Sequence, residues 1–351
     1  MVPRGSVIVS TRAPIGHLGI AKVSLCTNQG CRSIIPLRGN DPRYCYYVLL
    51  AARNELAARG RGSTFMELAS FDLGDVPIPS PPLGVQQAIA NYLDEKSAAI
   101  DDLIEKKRKL LDLLAEERAA LINQAVTKGL DPSVPMKDSG IPWIGEIPEH
   151  WDVADLRREW LVIDCKHRTP EYVADGYKVV STTEVKPGRI NLNNVTRFID
   201  EEDYLDMTEA GRKPKPGDII YSRNASLGAA AFVDTSEPFS MGQDVVLITS
   251  TRQNQLFLMQ QLNSGVGMTQ VHHACVGSTF KRINVAQIRM FRVCIPPRNE
   301  QDAIAEYVDG EEQRIGSLAS RIDQQTNGIQ EYRQALITAT VTGQLDVAAA
   351  A

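Results

Sequence analysis

The feature that most constrains this chain is a long internal repeat. Shifting the sequence by 215 positions places the Gly-Ser-Thr-Phe segment Gly62–Phe65 on the identical segment Gly277–Phe280. The same shift places Pro81-Pro82 on Pro296-Pro297 without a gap. A fixed period of this length indicates an internal duplication. The sequence therefore predicts two copies of one structural unit within 351 residues.

Each copy contains a long, charge-rich segment that has the pattern of a helix. One helix is predicted from about Gly84 to Lys128 and the other from about Glu300 to Thr342. Apolar residues recur at steps of three and four over several heptads, which predicts a narrow apolar seam that requires a partner helix. The expected seam positions are Leu93, Ile100, Leu103, Leu110, Leu114 and Leu121 in the first copy, and Val308, Ile315, Leu318, Ile322, Ile329 and Leu336 in the second.

The most accessible partner for each helix is the other copy, because both lie on one chain. Two surface helices, each packing on its own domain, are the alternative. The run Glu105–Lys109 argues against that alternative, because it offers little apolar surface to a globular core. Polar residues within the seam, Lys107 and Gln325 among them, restrict the registers in which the two helices can pair.

Composition excludes several classes of protein. The 43% hydrophobic and 23% charged residues are those of an ordinary globular protein of two or three domains. The sequence contains no apolar run near 18 residues and no secretory signal, so we expect no membrane partner and a cytoplasmic location. The net charge of −5 argues against a protein that coats nucleic acid, although it permits a local basic face.

The six cysteines form no Cys-x-x-Cys pair. Their scattered apolar surroundings predict buried thiols in a reducing compartment. A zinc site is the alternative, but His272-His273 beside Cys275 is poor ligand spacing, so we predict no metal site.

The segment that precedes each long helix has the pattern of an α+β unit, with short strands and one helix. They predict domains at 1–82 and 131–297, with the helical segments at 83–130 and 298–346. About 75 residues of the second unit precede Gly217, whereas only four precede the matching Gly5. By the logic of the repeat, the first unit is expected to lack its front part.

Several of these segments together resemble the specificity (S) subunits of type I restriction-modification systems. The resembling stretches are Val9–Gly16 with Thr27–Gly30, Pro81–Asp94, Lys137–Gly140 with Glu149–Trp151, and Gly277–Thr279. They extend over most of the chain, and their order along it is that of the family. The short front of the first unit is the departure from the family's pattern.

The resemblance implies an α+β protein with two target recognition domains separated by two long helices that form an antiparallel coiled coil. Each domain would read one half of a split site in double-stranded DNA. The coiled coil would set the spacing and dock two methyltransferase (M) subunits, which methylate adenine, and restriction (R) subunits would join for cleavage. No cofactor is implied for this chain, since S-adenosylmethionine, ATP and Mg²⁺ would bind to the partner subunits.

Reading DNA requires side-chain amides and guanidinium groups for base edges, and basic or hydroxyl groups for phosphates. The loops supply such groups in both units, with a solvated loop as the alternative for each residue. The candidates in the first unit are Arg12, Asn28, Gln29, Arg59, Arg61, Ser63 and Thr64. The candidates in the second are Lys166, His167, Arg168, Arg223, Asn224, Gln243, Ser278, Thr279, Lys281 and Arg282.

Catalytic motifs are missing from the sequence. It contains no Gly-x-x-x-x-Gly-Lys-Ser/Thr phosphate loop and no Asn/Asp-Pro-Pro-aromatic motif of adenine methyltransferases. The acidic run Asp200–Asp203 reads as a solvated loop, so we predict no catalytic residues. Other hypotheses remain at this point: a coiled-coil adaptor that binds proteins, a fused restriction-modification enzyme, and a shortened specificity subunit that reads one half-site or none.

Overall fold

The computed structural model describes residues 1–62, 66–275 and 282–347. The chain packs as two units, one formed by Met1–Asp112 with Ala319–Ala351 and the other by Leu113–Leu318. Two long helices, α4 (Leu83–Lys128) and α9 (Arg298–Val341), contribute to both units. The mixed α and β content agrees with the expected fold class. The four-segment domain division from the sequence stays a prediction.

The first unit is built on a small antiparallel sheet. Its strands are β1 (Val7–Ser10), β2 (Leu18–Ile20) and β3 (Cys31–Ile34), and its short helices are α1 (Pro42–Ala51), α2 (Arg53–Ala58) and α3 (Ser70–Gly74). The order is β2-β1-β3. Val7 and Val9 alternate with more exposed neighbours and pack with Leu49 and Leu56 in one buried cluster. The period of two thus places one face of β1 on the helices.

The second unit has a larger set of strands. These are β4 (Met136–Asp138), β5 (Glu146–Pro148), β6 (Asp152–Asp155), β7 (Leu161–Asp164), β8 (Tyr177–Val180), β9 (Gly188–Arg189), β10 (Phe198–Ile199), β11 (Ile219–Ser222), β12 (Ala230–Phe232), β13 (Phe239–Met241), β14 (Val245–Thr249) and β15 (Arg292–Ile295). Its helices are α5 (Glu201–Thr208), α6 (Gln255–Asn263), α7 (Gly265–Cys275) and α8 (Val285–Arg289). The main sheet has the order β7-β14-β11-β12-β9, and β11 is buried at all four positions.

The duplication is visible in the strand registers. Val7 pairs with Ile20 in the first unit, and Ile219 pairs with Phe232 in the second, both shifted by the same 212 residues. Gly16 and Gly228 lie at the same place in the two connecting turns, with φ of 83° and 84°, a conformation that favours glycine. The three strands β2-β1-β3 therefore correspond to β12-β11-β14, and in the second unit β9 and β7 extend this sheet at its two edges.

One glutamine near the start of each long helix fastens that helix to its own unit. The Gln86 Oε1 accepts a hydrogen bond from the Asp41 backbone N–H at 2.9 Å, and its Nε2 donates to the Pro81 carbonyl at 2.8 Å. In the second unit Gln301 makes the same two bonds, to the Asn254 N–H at 2.9 Å and the Pro296 carbonyl at 2.8 Å. Both glutamines are at most 1% exposed, and each gives hydrogen-bond partners to backbone groups beside the start of its long helix.

The long helices pair antiparallel within each unit, as expected. In the first unit, Arg333 pairs with Asp101, and the Lys107 Nζ donates to the Gln325 Oε1 at 2.7 Å. In the second, Arg118 pairs with Glu312, and Arg314 lies 3.7 Å from Glu117. Residue numbers rise along α4 as they fall along α9, which defines the antiparallel direction.

The seam differs from the sequence expectation at two positions. Leu103 and Leu110 are 44% and 46% exposed, whereas Ile104 is 6% exposed and takes the inward position. From Ile100 the next inward residue of α4 is thus four residues on, not three. The other expected residues are buried (Leu93, Ile100, Val308, Ile315 and Ile322) or half-buried (Leu114, Leu121, Leu318, Ile329 and Leu336). Among the helices that the structure describes, none has the length and apolar character needed to cross a membrane.

Candidate nucleic-acid interface

The predicted loops of the first unit meet at one end of its sheet. Arg12, Asn28 and Gln29 line an open groove of about 570 Å³ beside the turn that joins β1 to β2. The Asn28 side chain accepts a hydrogen bond from the Gly30 N–H at 3.0 Å, which shapes the turn before β3. All three side chains are exposed, so two amides and one guanidinium share a surface that solvent or a ligand can reach.

All three arginines predicted in the first unit lie near carboxylates, and Arg12 is 3.5 Å from Glu67. Arg59 pairs with Glu55 at 2.5 Å, and Arg61 pairs with Asp72 at 2.9 Å while its side chain stays 80% exposed. Glu67 lies beside both Arg12 and Arg61, because it forms a backbone bridge with each of them. The predicted Ser63 and Thr64 lie outside the described residues.

The predicted loops of the second unit also meet at one end of its sheet. Strand β7 ends at Asp164 next to the start of β14, where Val246 pairs with Asp164. Strand β11 ends beside the same point, where Ser222 pairs with Val245. The segments at these ends carry the predicted residues Lys166, His167, Arg168, Arg223, Asn224 and Gln243. The strand order thus brings side chains that are far apart in the sequence to one end of the sheet.

Arg223 lies inside the second unit, contrary to the expectation of a solvent-facing group. It is 3% exposed, and its guanidinium is 3.3 Å from the Asp164 carboxylate and 3.7 Å from that of Asp244. Asp244 also forms an ion pair with Arg282 at 2.5 Å and accepts a hydrogen bond from the Asn224 side-chain amide at 3.3 Å. Sequence reasoning missed both aspartates, although each directly adjoins a strand end that bears predicted residues.

Lys166 and Arg168 are engaged by acidic side chains on and after α5. Lys166 pairs with Asp206 and donates to Glu209 at 2.9 Å. Arg168 reaches Asp203 at 2.5 Å and Asp206 at 2.7 Å. Hydrogen bonds from Lys166 and Arg168 lower the pKa of the Asp206 carboxyl, and those to Asp206 and Glu209 raise the pKa of Lys166.

The acidic run Asp200–Asp203 is not the solvated loop expected from the sequence. Asp200 caps α5 by accepting from the Asp203 N–H at 2.8 Å, and the acidic first turn suits the positive end of a helix. Asp203 itself is 8% exposed because it packs inward and binds Arg168.

His167 and Gln243 complete the described part of this surface. A His167 ring nitrogen is 3.0 Å from Asp164, and the Gln243 Nε2 donates to the Thr169 hydroxyl at 2.7 Å. Both side chains are exposed. The predicted Ser278, Thr279 and Lys281 lie outside the described residues.

One group of metal-type ligands lies here: Asp164, Cys165 and His167, with ligand atoms within 4.8 Å of one another. Two features disfavour a cation at this point. Arg223 already places a positive charge 3.3 Å from Asp164, and burial raises the pKa of the Cys165 thiol, which opposes the thiolate that a metal requires.

Comparison with known proteins identifies the family. The sequence matches the model of the type I restriction modification DNA specificity domain over residues 1–112 and 172–325. The chain belongs to this family. The MjaIX specificity subunit of Methanocaldococcus jannaschii is 37% identical over 160 residues, which cover 44% of this chain and 35% of that relative. The MjaVIII specificity subunit of the same organism is 24% identical over 319 residues, covering 88% of this chain and 71% of the relative.

Two solved structures share the fold of this chain. A chain from a study of complex assembly and conformational transition of the type I R-M system aligns over 98% of this chain and 83% of its own length, with a TM-score of 0.71 and 16% identity. The HsdS subunit from Thermoanaerobacter tengcongensis aligns over 98% of this chain and 82% of its own length, with a TM-score of 0.58 and 14% identity.

Proposed function

We propose that this chain is the DNA sequence-recognition subunit of a type I restriction-modification complex. Each unit reads one half of a bipartite site in double-stranded DNA, and the long helices dock the methyltransferase and restriction subunits. Such a protein works in the cytoplasm, where it meets chromosomal or incoming DNA.

The observation that carries this proposal is the repeated gathering of amide and basic side chains at one end of equivalent sheets. Asn and Gln amides pair with adenine edges and Arg with guanine in the major groove. Arg12 and Gln29 offer these groups in the first unit, and Gln243 and Arg282 in the second. Duplicated readers on one chain fit a DNA site made of two separate halves.

The chain itself is proposed to be non-catalytic. S-adenosylmethionine, ATP and Mg²⁺ are assigned to the partner subunits, in line with the missing phosphate loop and methyltransferase motif. Methyl transfer or DNA cleavage by the purified chain without partners would contradict this assignment.

Co-expression with the methyltransferase subunit of the same locus, followed by mapping of methylated adenines, tests the proposal. We expect one split motif of two defined halves separated by a fixed number of unread bases. A half-motif or a palindrome would mean that a single unit reads. Binding without sequence preference would favour the coiled-coil adaptor and overturn the proposal.

A further inference from the structure

The two cations that follow β7 face an acidic surface of their own unit. We call Lys166 to Arg168 the basic loop, and the carboxylates of Asp203, Asp206 and Glu209 the acidic screen. Asp206 lies between both cations, while Glu209 holds only Lys166 and Asp203 holds only Arg168. Three carboxylates therefore oppose two cations.

These contacts occupy the groups that would otherwise bind DNA phosphates. The attraction of Lys and Arg for phosphate supplies nearly all non-specific affinity for DNA and is independent of sequence. A carboxylate presents the same kind of charged oxygen acceptor to the same donors. A phosphate must displace a carboxylate before it can use Lys166 or Arg168.

The side chains remain within reach of such an exchange. The Lys166 and Arg168 side chains are 26% and 45% exposed, and that of Asp206 is 35% exposed. An ion pair this accessible to solvent is held weakly enough for a competing anion to replace it. Asp206 and Glu209 are thus placed to compete with DNA for the basic loop, whereas Asp203 is buried.

We propose that the acidic screen is a specificity determinant of the second unit, because it occupies the basic loop as an internal substitute for DNA phosphate. Non-specific duplex binds through phosphates alone and gains little from the occupied basic loop, whereas a matched sequence binds through base contacts on other loops and does not need to displace the screen. This inference rests on the proposed function, since it concerns discrimination between DNA sequences. It also fits a DNA reader whose net charge is −5.

A purely anchoring role for the same ion pairs predicts the opposite result. If Asp206 served only to hold the basic loop in a DNA-binding shape, its neutralisation would loosen that loop and weaken binding to the matched site. If Asp206 screens, neutralisation leaves Lys166 held by Glu209 alone and Arg168 by Asp203 alone, so phosphate displaces these carboxylates more easily and binding to any duplex strengthens. The sign of the change in non-specific affinity separates the two roles.

The experiment compares Asp206→Asn with the unchanged chain, each in complex with the methyltransferase subunit. Binding is measured between 50 and 200 mM salt on a random-sequence duplex and on the duplex with the mapped methylation motif. For Asp206→Asn we expect non-specific affinity to rise severalfold and its salt dependence to steepen by about one released counterion. The ratio of matched to random affinity should fall.

Glu159→Gln is the matched control. It removes one negative charge and releases Arg252, which Glu159 holds at 3.1 Å. These residues adjoin the opposite end of the same sheet, where Leu161 pairs with Thr249. We expect this change to leave the ratio of matched to random affinity unaltered. An equal effect of both variants would mean that net charge alone changes the affinity, and it would overturn the proposal.

Lys166→Gln in both backgrounds provides a second measurement. Its effect on non-specific binding should be small in the unchanged chain and larger in Asp206→Asn, since Lys166 contacts phosphate more readily once it has lost one of its two carboxylate partners. Equal effects in the two backgrounds, or weaker non-specific binding by Asp206→Asn, would overturn the proposed role of the acidic screen. Absence of any sequence preference in the unchanged complex would instead overturn the proposed function.

Discussion

Arg223 carries a positive charge into the interior of the second unit, where Asp164 and Asp244 compensate it. Asp164 ends β7, Arg223 follows β11 and Asp244 precedes β14, so the cluster ties three strand ends together. The loops that bear the candidate DNA contacts begin at these ends. We therefore interpret Arg223 as a residue that positions the interface and not as a DNA contact.

Arg223→Met tests this role at the residue scale. Removing one partner of a buried ion pair leaves uncompensated charge, so we expect a loss of about 3 kcal/mol in the free energy of unfolding. Urea unfolding measures it. Arg252→Met is the control, because that side chain is 69% exposed and its ion pair contributes little. Similar losses from both changes would contradict the interpretation.

The sequence indicated part of the candidate interface and not the rest. Asn28 and Gln29 were identifiable because a Gly-containing turn before a strand places polar side chains at a sheet end. Arg223 has the same kind of context, after a strand. Its burial depends on carboxylates from two other strand ends, and one sequence does not reveal that such distant residues meet.

At the scale of elements, adjacent apolar residues of α4 differ in whether they face the partner helix. Leu103 and Ile104 are both apolar, and so are Leu110 and Leu111. Steps of three or four are equally acceptable in a heptad pattern, so the sequence predicted the helix and its need for a partner. The packing of the two helices decides which residue of each apolar pair faces inward.

Ile104→Ala and Leu103→Ala together test which of these two adjacent residues faces inward. The buried Ile104 should cost about 2 kcal/mol in the free energy of unfolding when it is truncated. The 44% exposed Leu103 should cost no more than about 0.5 kcal/mol. Thermal or urea unfolding of the full chain measures both. A larger loss at Leu103 would show that the seam runs through the position expected from the sequence.

The buried glutamines at the starts of the long helices give a second prediction for elements. Gln301→Leu keeps the approximate size but leaves the Asn254 N–H and the Pro296 carbonyl without partners, so we expect a loss of about 2 kcal/mol in unfolding free energy. Gln86→Leu should behave alike in the first unit. Gln313→Leu, on an exposed part of α9, serves as the control. If Gln301→Leu and Gln86→Leu lose no more stability than this control, the glutamines do not fasten the helices.

At the scale of the whole molecule, two equivalent readers should act independently. Gln29→Ala is expected to relax the methylation motif in one half only, with a loss of about 1–3 kcal/mol in discrimination for a lost base contact. Gln243→Ala should relax the other half. Sequencing of methylated adenines in the complex with the methyltransferase subunit records both. Relaxation of both halves by either change would show that the units do not read separately.

The antiparallel pairing of α4 with α9 has a consequence for how the protein is made. The second unit is continuous in sequence, from Leu113 to Leu318, whereas the first joins Met1–Asp112 to the segment that starts at Ala319. Domains fold as units during synthesis, and the last residue of the second unit leaves the ribosome before Arg333, which pairs with Asp101 of the first unit. The part translated first is thus finished last, and until then its half of α4 lacks the segment of α9 that covers its apolar positions.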